Sequence, residues 1–518
     1  MSPQDKLKKV SVIICFILLL FLYGFFLCHK INLVTADLGR HLKNGEVIFQ
    51  NKKILDTNFY SYTEPDFQTI NHHWGSGLIF YLIWKIRGFT GLSLFYILLS
   101  LSTFLIFFNL SQKINRLLTP LISLLIILLL AQRTEIRPEG FSYFFCAIFL
   151  WLLLKYKEER LSFKWLLALP ILEILWVNLH IYFFLGPLLI LAFLIEKLIT
   201  SRRLSAVKQL TMALIFVILV TFFNPFGLAG TTAPLTIFNN YGYRVLENQS
   251  VWFIEKLIPN PIYFVFKFNF AILTISFLLV LIYQKKNFPL ANFFLSLIFS
   301  TMAWLSIRNF TLFGFFALPL MVGNFNSILK NKLENYTNLL STFIPIILFT
   351  SLFITIVGQF PLRFPISNWH EFGLGLETGN SGSAEFFKAQ KIQGPIFNDY
   401  DIGSYLIFHL YPQKVFVDNR PEAYSVDFFE KIYIPMQDEE EEWQKQDEIY
   451  NFNAIFFAYK DPTPWAQKFL IRRIKDPSWV PVFVDQYALI LLKRNKQNQK
   501  IIEEYEIAKE RFKVINTP

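Results

Sequence analysis

The stretch that decides the fold reads VSVIICFILLLFLYGFFL over residues 10–27 and is soon followed by Thr35-Ala-Asp-Leu-Gly-Arg-His41. The apolar run is long enough to cross a hydrocarbon layer of about 30 Å. Basic residues precede this run, as they precede the apolar core of a signal peptide. However, the run is longer than such a core, and no small-residue cleavage site follows it. The sequence therefore predicts a retained first membrane helix with a carboxylate, a guanidinium and an imidazole at its far end.

Composition places the whole chain in the membrane class. Of its 518 residues 54% are hydrophobic, and 60 are Phe. The net charge of +11 does not indicate a nucleic-acid partner, because the basic residues cluster in short loops between apolar runs. The three cysteines lie in or beside apolar runs, with no spacing typical of a disulfide framework. The expected partner is a lipid bilayer.

The positive-inside rule orients these runs. With the amino terminus in the cytoplasm, about eleven crossings end near Gly358, and nearly every inner turn is basic. The segment 74–87 is short and amphipathic, so we expect it along the interface, with the next crossing at about 90–110. Counting 74–87 as a crossing would invert everything after it and place the basic turn from Lys155 to Lys164 outside. We therefore expect a multi-pass protein of the cell inner (plasma) membrane.

The composition changes near residue 359. Polar residues rise, and short β-like runs alternate with helix-like stretches such as 438–450. We expect a transmembrane domain at 1–358 with a large first outer loop at 29–89, a small extracytoplasmic α/β domain at 359–492, and a charged tail at 493–518. The β-like runs are 414–418, 454–458, 480–484 and 487–492.

The polar cluster after the first helix is the first candidate site. Asp37 and His41 are spaced i, i+4, so on a helix both face the same way. A carboxylate at the membrane surface accepts a proton from a hydroxyl or amide, and His41 would assist it. The structural alternative is that Asp37 caps the following helix while His41 contacts headgroups or water.

Further charged residues lie at predicted outer helix ends. Arg133 and Arg137 alternate with Glu135 and Glu139, and two arginines beside a cleft suit a phosphate or pyrophosphate. Alternatively, Glu139 forms a buried ion pair with Arg137 or Arg133. Arg308 ends the ninth predicted crossing, where it either binds an anion or snorkels to the surface.

Four short motifs stand out in the first outer loop: Asp37-Leu-Gly-Arg-His41, Gly45-Glu-Val-Ile, Asp56-x-x-x-x-Ser61-Tyr-Thr and His73-Trp74. With these motifs the loop resembles that of bacterial GT-C superfamily membrane glycosyltransferases. That superfamily includes oligosaccharyltransferase catalytic subunits, protein O-mannosyltransferases and aminoarabinose transferases.

This resemblance implies an α-helical polytopic GT-C-like fold and an inverting transfer from a polyprenyl-phosphate-linked sugar donor. It assigns the catalytic base to Asp37, the second outer-face acid to Glu139, and the carrier phosphate to a late basic residue, here Arg308. We expect His41 to assist catalysis and Arg40, His73, Arg133 and Arg137 to bind substrate. Family members with a metal often carry Asp-x-Asp near Glu139, and this chain does not. The sequence does not identify a cofactor, and a divalent metal is the candidate that the resemblance leaves open.

A second resemblance lies at the start of the C-terminal domain. Asp399-Tyr-Asp-Ile-Gly403 is similar to the Trp-Trp-Asp-Tyr-Gly segment that helps oligosaccharyltransferases bind acceptor peptide. Asp401 matches its Asp and is a candidate substrate-binding residue. Asp399 replaces the first Trp and Ile402 the Tyr, so peptide recognition does not carry over. A packing role for the motif is the alternative.

Two classes of function remain. The leading one is a glycosyltransferase acting on the extracytoplasmic face on an unknown glycan, lipid or protein acceptor. The alternative is a non-catalytic transporter or a lipid- or polysaccharide-handling protein. Transporters tend to have repeated halves and charges near the membrane midplane. This chain places its charges at helix ends and has no evident repeat.

Overall fold

A computed structural model describes residues 3–34, 37–200, 204–237, 241–359 and 371–513. Thr35 and Ala36 of the opening motif lie outside these ranges, as do 514–518 of the predicted tail. The chain folds into two compact units. The helical unit comprises Met1–His29, Ser93–Asn224 and Val245–Leu374. The mixed unit comprises Lys30–Leu92, Pro225–Arg244 and Gly375–Pro518.

Helices make up most of the described chain. In chain order they are α1 (Pro3–Leu27), α2 (Leu38–Asn51), α3 (Trp74–Ile114), α4 (Leu118–Leu130), α5 (Glu139–Lys157), α6 (Phe163–Leu166), α7 (Ala168–Leu179), α8 (Leu185–Thr200), α9 (Leu204–Val220), α10 (Gly227–Thr236), α11 (Val251–Leu257), α12 (Pro261–Tyr283), α13 (Leu290–Leu305), α14 (Phe310–Asn335), α15 (Thr337–Gln359), α16 (Gly382–Ala389), α17 (Gly403–Leu410), α18 (Ile434–Asp438), α19 (Glu440–Tyr450), α20 (Pro464–Lys475) and α21 (Gln499–Tyr505).

The predicted helical membrane fold is confirmed, whereas the count of about eleven crossings is not. Within the described ranges, 7 helical segments are long and apolar enough to span a bilayer. They are Lys9–Leu27, Trp74–Ile114, Glu139–Lys157, Ile181–Thr200, Pro261–Tyr283, Ile307–Lys330 and Thr337–Val357. Three shorter apolar helices, α4, α9 and α13, supplement them. In α3 the backbone leaves helical geometry at Gly88, between the two stretches that the sequence pattern separates.

Aromatic packing holds the helical unit together. α14 packs against α4, α12 and α13, and α1 packs against α15. Phe315 of α14 stacks on Phe107 of α3 with ring centroids 5.1 Å apart, and Phe316 stacks on Phe299 of α13 at 3.7 Å. All four rings are buried. The abundance of Phe thus supplies ring pairs between helices.

A small sheet forms the centre of the mixed unit. Its strands are β1 (Ile396–Asn398), β2 (Ala454–Phe457), β3 (Trp479–Val484) and β4 (Leu489–Lys493). Their order is β1-β2-β4-β3, with β1 parallel to β2 and the other pairs antiparallel. α19 confirms the helix predicted near 438–450. The domain boundaries at 358 and 492 stay a prediction.

One predicted strand, 414–418, is wrong, and its backbone bonds explain why. Val415 pairs with the first outer loop in an isolated bridge to Ser61. The Asn398 side chain accepts a hydrogen bond from Phe416 N at 2.9 Å and donates one to Val417 O at 2.7 Å. A side-chain amide therefore satisfies the backbone groups that a neighbouring strand would use.

The first outer loop packs closely on the C-terminal part of the mixed unit. Gly39 of α2 approaches Ser404 of α17 so closely that an added Cβ would lie 2.6 Å from the Ser404 carbonyl oxygen. Arg40 N donates a hydrogen bond to Ser404 Oγ at 2.9 Å. These interactions fix the start of α2, and Asp37 directly precedes it.

Candidate functional site

Asp37 lies immediately before α2, but its side chain makes no capping hydrogen bond to that helix. Its Oδ1 accepts a hydrogen bond from Asn419 Nδ2. Its Oδ2 lies 3.9 Å from an Arg40 guanidinium nitrogen, and 31% of the Asp37 side chain is exposed. The alternative in which Asp37 caps α2 is therefore wrong. The Asp37 carboxylate is positioned by Asn419 and Arg40 and is partly exposed.

Arg40 and His41 follow Asp37 on α2, and the His73 ring lies against that of His41. Arg40 and His41 are buried in α2. The rings of His41 and His73 meet edge to face with centroids 5.4 Å apart, and His72 lies against His73 at 4.2 Å. The structure thus brings four of the predicted residues, Asp37 included, into one neighbourhood of the mixed unit.

A small polar cleft of about 20 Å³ lies beside Arg40 and His73, with room for a water molecule. Two of its polar atoms, Arg40 Nε and His72 Nδ1, are buried without a hydrogen-bond partner among the described residues. Such atoms cost free energy unless a ligand or water satisfies them. Its lining comprises Arg40, Asn44, Leu55, Thr69, Ile70, Asn71, His72, His73, Arg420, Glu422 and Ala423.

A second acidic and basic cluster lies within the helical unit. Arg133, Arg137 and Arg308 all meet the carboxylate of Glu247, at 2.8, 3.0 and 2.8 Å. Burial disfavours the charged form of Glu247, yet the three guanidinium groups hold its pKa well below the usual range. Glu247 is therefore an anion seated among three arginines.

Glu139 pairs differently from the predicted alternative. Its Oε1 accepts a hydrogen bond from Arg308 at 3.0 Å, whereas Arg137 pairs with Glu135 and Glu247. Arg308 also donates to Asn248 Oδ1 at 2.7 Å, so it is held by the protein rather than merely snorkelling. The structure brings Arg133, Arg137, Glu139 and Arg308 together.

Glu247 is the residue of this cluster that the sequence pattern did not predict. It lies in a loop without a motif, so spacing gives no indication of its partners. Charge balance is the sequence feature that indicates a further acidic residue in this cluster. Three arginines near the bilayer require anions, and Glu135 and Glu139 alone do not match them.

Asp401 belongs to an acidic group of the mixed unit. One oxygen from each of Asp399, Asp401 and Asp461 lies within 4.8 Å of the others, an arrangement that could hold a metal ion. Asp401 is exposed, while Asp399 and Asp461 are buried.

Comparison with solved structures defines the class of fold. No family model and no curated protein sequence matches the chain. Solved structures do match over almost its whole length, and they show that its fold is similar to that of an oligosaccharyltransferase.

The matched structures include the archaeal oligosaccharyltransferase AglB from Archaeoglobus fulgidus in complex with an inhibitory peptide and a dolichol-phosphate. The TM-score is 0.54 at 10% identity, over 94% of this chain and 74% of that one. The apo form of the Archaeoglobus fulgidus oligosaccharyltransferase gives 0.53 at 11% identity, over 92% and 73%. At such identities the likeness establishes the fold.

Proposed function

We propose that this protein is an integral membrane glycosyltransferase that moves a sugar from a polyprenyl-phosphate-linked donor to an acceptor on the extracytoplasmic face. The observation that carries the proposal is the Asp37 carboxylate, which is accessible, oriented by Asn419 and not engaged in capping. The GT-C oligosaccharyltransferase-like fold supports the same function.

Asp37 is the general base of this proposal. The acceptor hydroxyl or amide attacks the anomeric carbon, its proton passes to Asp37, and the bond from that carbon to the phosphate oxygen breaks. The leaving phosphate keeps the bonding electron pair, and the configuration at the anomeric carbon inverts. General-base assistance of this kind contributes about 10²–10⁴ in rate. Glu139 and His41 are kept as candidate catalytic residues, with His41 assisting.

The cleft is proposed as part of the acceptor region, because Arg40, which lines it, lies 3.9 Å from the Asp37 carboxylate. Arg40 Nε and His72 Nδ1 are polar atoms that the described residues leave unsatisfied, as expected where a polar substrate binds. His73 and Arg40 line the same cleft. We assign substrate binding to both, and the acceptor presents a hydroxyl or amide nucleophile.

The arginine cluster is the proposed phosphate site. Guanidinium groups bind phosphate oxygens in a bidentate way and stabilise charge on a leaving group. Arg133, Arg137 and Arg308 already bind one anion, the Glu247 carboxylate, so a donor phosphate would exchange with it. The AglB structure that contains dolichol-phosphate supports a lipid phosphate as that ligand.

Transfer itself is the first measurement. Vesicles containing the protein are given a polyprenyl-phosphate donor with a labelled sugar, together with cell-envelope acceptors. We expect label to appear in a new covalent product. Movement of label across the bilayer without such a product would favour the transporter alternative and contradict the proposal.

A further inference from the structure

The acidic group of the mixed unit lies where two parallel strands end. Asp399 directly follows β1, and Asp461 follows β2 a few residues beyond its last residue. These strands are hydrogen-bonded neighbours, with Asn398 opposite Phe456. Their carboxyl ends therefore meet at one edge, where ligands of α/β sheets commonly bind.

The geometry of the group suits a cation with oxygen ligands. One carboxylate oxygen from each of Asp399, Asp401 and Asp461 lies within 4.8 Å of the other two. Oxygens bound to Ca²⁺ at about 2.3–2.6 Å lie up to about 5 Å apart on opposite sides of the ion. The three oxygens are thus already at ligand spacing.

Two buried oxygens point independently to a missing partner. Asp399 Oδ1 accepts a hydrogen bond from Ala458 N at 2.7 Å, and Asp461 Oδ1 accepts one from Thr463 N at 2.8 Å. The Oδ2 atoms of both residues are buried without a hydrogen-bond partner in the described part of the chain. The exposed fractions of the two residues are 0% and 3%. A buried carboxylate oxygen without a partner is costly, so something must satisfy it.

Charge leads to the same requirement. The three carboxylates lie within 4.8 Å of one another and two of them are buried, so their negative charges repel at short range. A cation bound among them would remove this repulsion. The exposed Asp401 gives an ion a route from solvent, and it leaves coordination positions for water.

We propose that Asp399, Asp401 and Asp461 bind one divalent cation of the Ca²⁺, Mg²⁺ or Mn²⁺ class. A ligand set made of carboxylates favours these hard ions. The segment that carries Asp399 and Asp401 leads directly into α17, which packs on α2 through Ser404 and Gly39. The ion would fix the start of that helix. This proposal does not depend on glycosyl transfer.

Terbium luminescence tests the site on the full chain in detergent. Tb³⁺ substitutes for Ca²⁺ and emits when nearby Tyr or Trp side chains are excited. Tyr400 stands between Asp399 and Asp401 in the chain, and the Tyr243 ring stacks on it with centroids 4.1 Å apart, so aromatic donors lie beside the site. We expect saturation with one ion per chain and displacement by Ca²⁺. In the Asp399→Asn/Asp461→Asn variant, affinity should fall more than about tenfold.

Two further variants keep the test decisive. Asp401→Asn removes an exposed ligand, so it should weaken Tb³⁺ binding even if the double variant fails to fold. Asp427→Asn removes an exposed carboxylate of the same unit, paired with Lys431, and should bind as the wild type does. Equal affinity in the wild type, Asp399→Asn/Asp461→Asn and Asp401→Asn would overturn the proposal, and so would absence of binding by the wild type. Either result would leave the assignment of Asp37 untouched.

Discussion

At the scale of single residues, Glu247 explains how three arginines remain together. Arg133, Arg137 and Arg308 repel one another, and a single carboxylate bonds to all of them. Glu139 and Glu135 complete the balance through Arg308 and Arg137. The three arginines and the three glutamates have a net charge of zero. Another anion could therefore replace the Glu247 carboxylate among the arginines.

Replacing Glu247 tests this exchange. In Glu247→Gln the arginines lose their shared anion, and we expect stability to fall by about 1–3 kcal/mol, less than for a fully buried pair. The Glu247 side chain is 27% exposed, which reduces the penalty. Added pyrophosphate should raise the unfolding temperature of the variant more than that of the wild type, as followed by thermal unfolding in detergent. Glu255→Gln, which breaks an exposed pair with Lys267, is the control. A variant that pyrophosphate does not stabilise would argue against an anion site.

His72 makes stability depend on pH. Burial and the charge of Arg40 lower the pKa of His72 from 6.5 to about 4. The unfolded chain therefore takes up a proton below pH 6.5 that the folded chain refuses, so stability is lost as pH falls toward 4, by at most about 1.4 kcal/mol per pH unit. Unfolding temperatures between pH 7 and 5 should fall less steeply in His72→Gln than in the wild type. Asn71→Ala, a neighbour that does not titrate, should keep the wild-type slope. Identical slopes in all three proteins would contradict this assignment.

Residue types, together with the resemblance of short motifs to a known family, predicted the participants but not their pairing. Asp37, Arg40, His41 and His73 were predicted from a short motif region, and the structure brings them together within one unit. The Arg308 pairing with Glu139 joins residues far apart in the chain, which sequence spacing does not encode. Glu247 was not predicted as a site residue, because an isolated glutamate in a short turn has no characteristic sequence pattern.

At the scale of elements, α2 and the start of α3 approach each other through glycines. A Cβ on Gly45 would lie 2.1 Å from the Gly77 carbonyl oxygen and 2.6 Å from Tyr81 Cβ. A Cβ on Gly77 would lie 2.8 Å from the carbonyl oxygen of His41. This close packing sets the distance between His41 and His73, since the two histidines lie on these segments.

Gly45→Ala should therefore force the two helices apart. Overpacking of this kind costs about 1–3 kcal/mol, and the backbone oxygen cannot move aside as a side chain would. Thermal unfolding should show a lower transition temperature for the variant. Gly24→Ala in α1, where no atom of the described residues lies within 4 Å of the added Cβ, should be neutral or slightly stabilising. Equal destabilisation by both changes would contradict the proposed packing.

Helices and strands were predicted where a hydrophobic periodicity or a long apolar run identified them. β2, β3 and β4 appeared as apolar runs, and they are strands because each pairs along its length. The run at 414–418 has similar composition, but Asn398 and the first outer loop satisfy its backbone. Strand propensity describes a residue run, whereas pairing depends on tertiary neighbours.

At the scale of the whole molecule, composition and apolar run length were sufficient to predict a helical membrane protein with a small α/β part. They did not fix the number of crossings, because α4, α9 and α13 are shorter than a full span. They also did not show that the first outer loop packs with C-terminal residues in one compact unit. Such long-range packing arises from surface complementarity that a linear pattern does not carry.

The most direct test of the central claim compares sugar transfer by Asp37→Asn with transfer by Asp66→Asn. Both changes remove one carboxylate from the first outer loop, but Asp66 is exposed and its carboxylate has no proposed role. Donor binding and unfolding temperature are measured in parallel. We predict that Asp37→Asn loses at least about 10² in turnover with folding and donor binding retained, while Asp66→Asn matches the wild type. Full turnover by Asp37→Asn would contradict the account, because the base would then be another group.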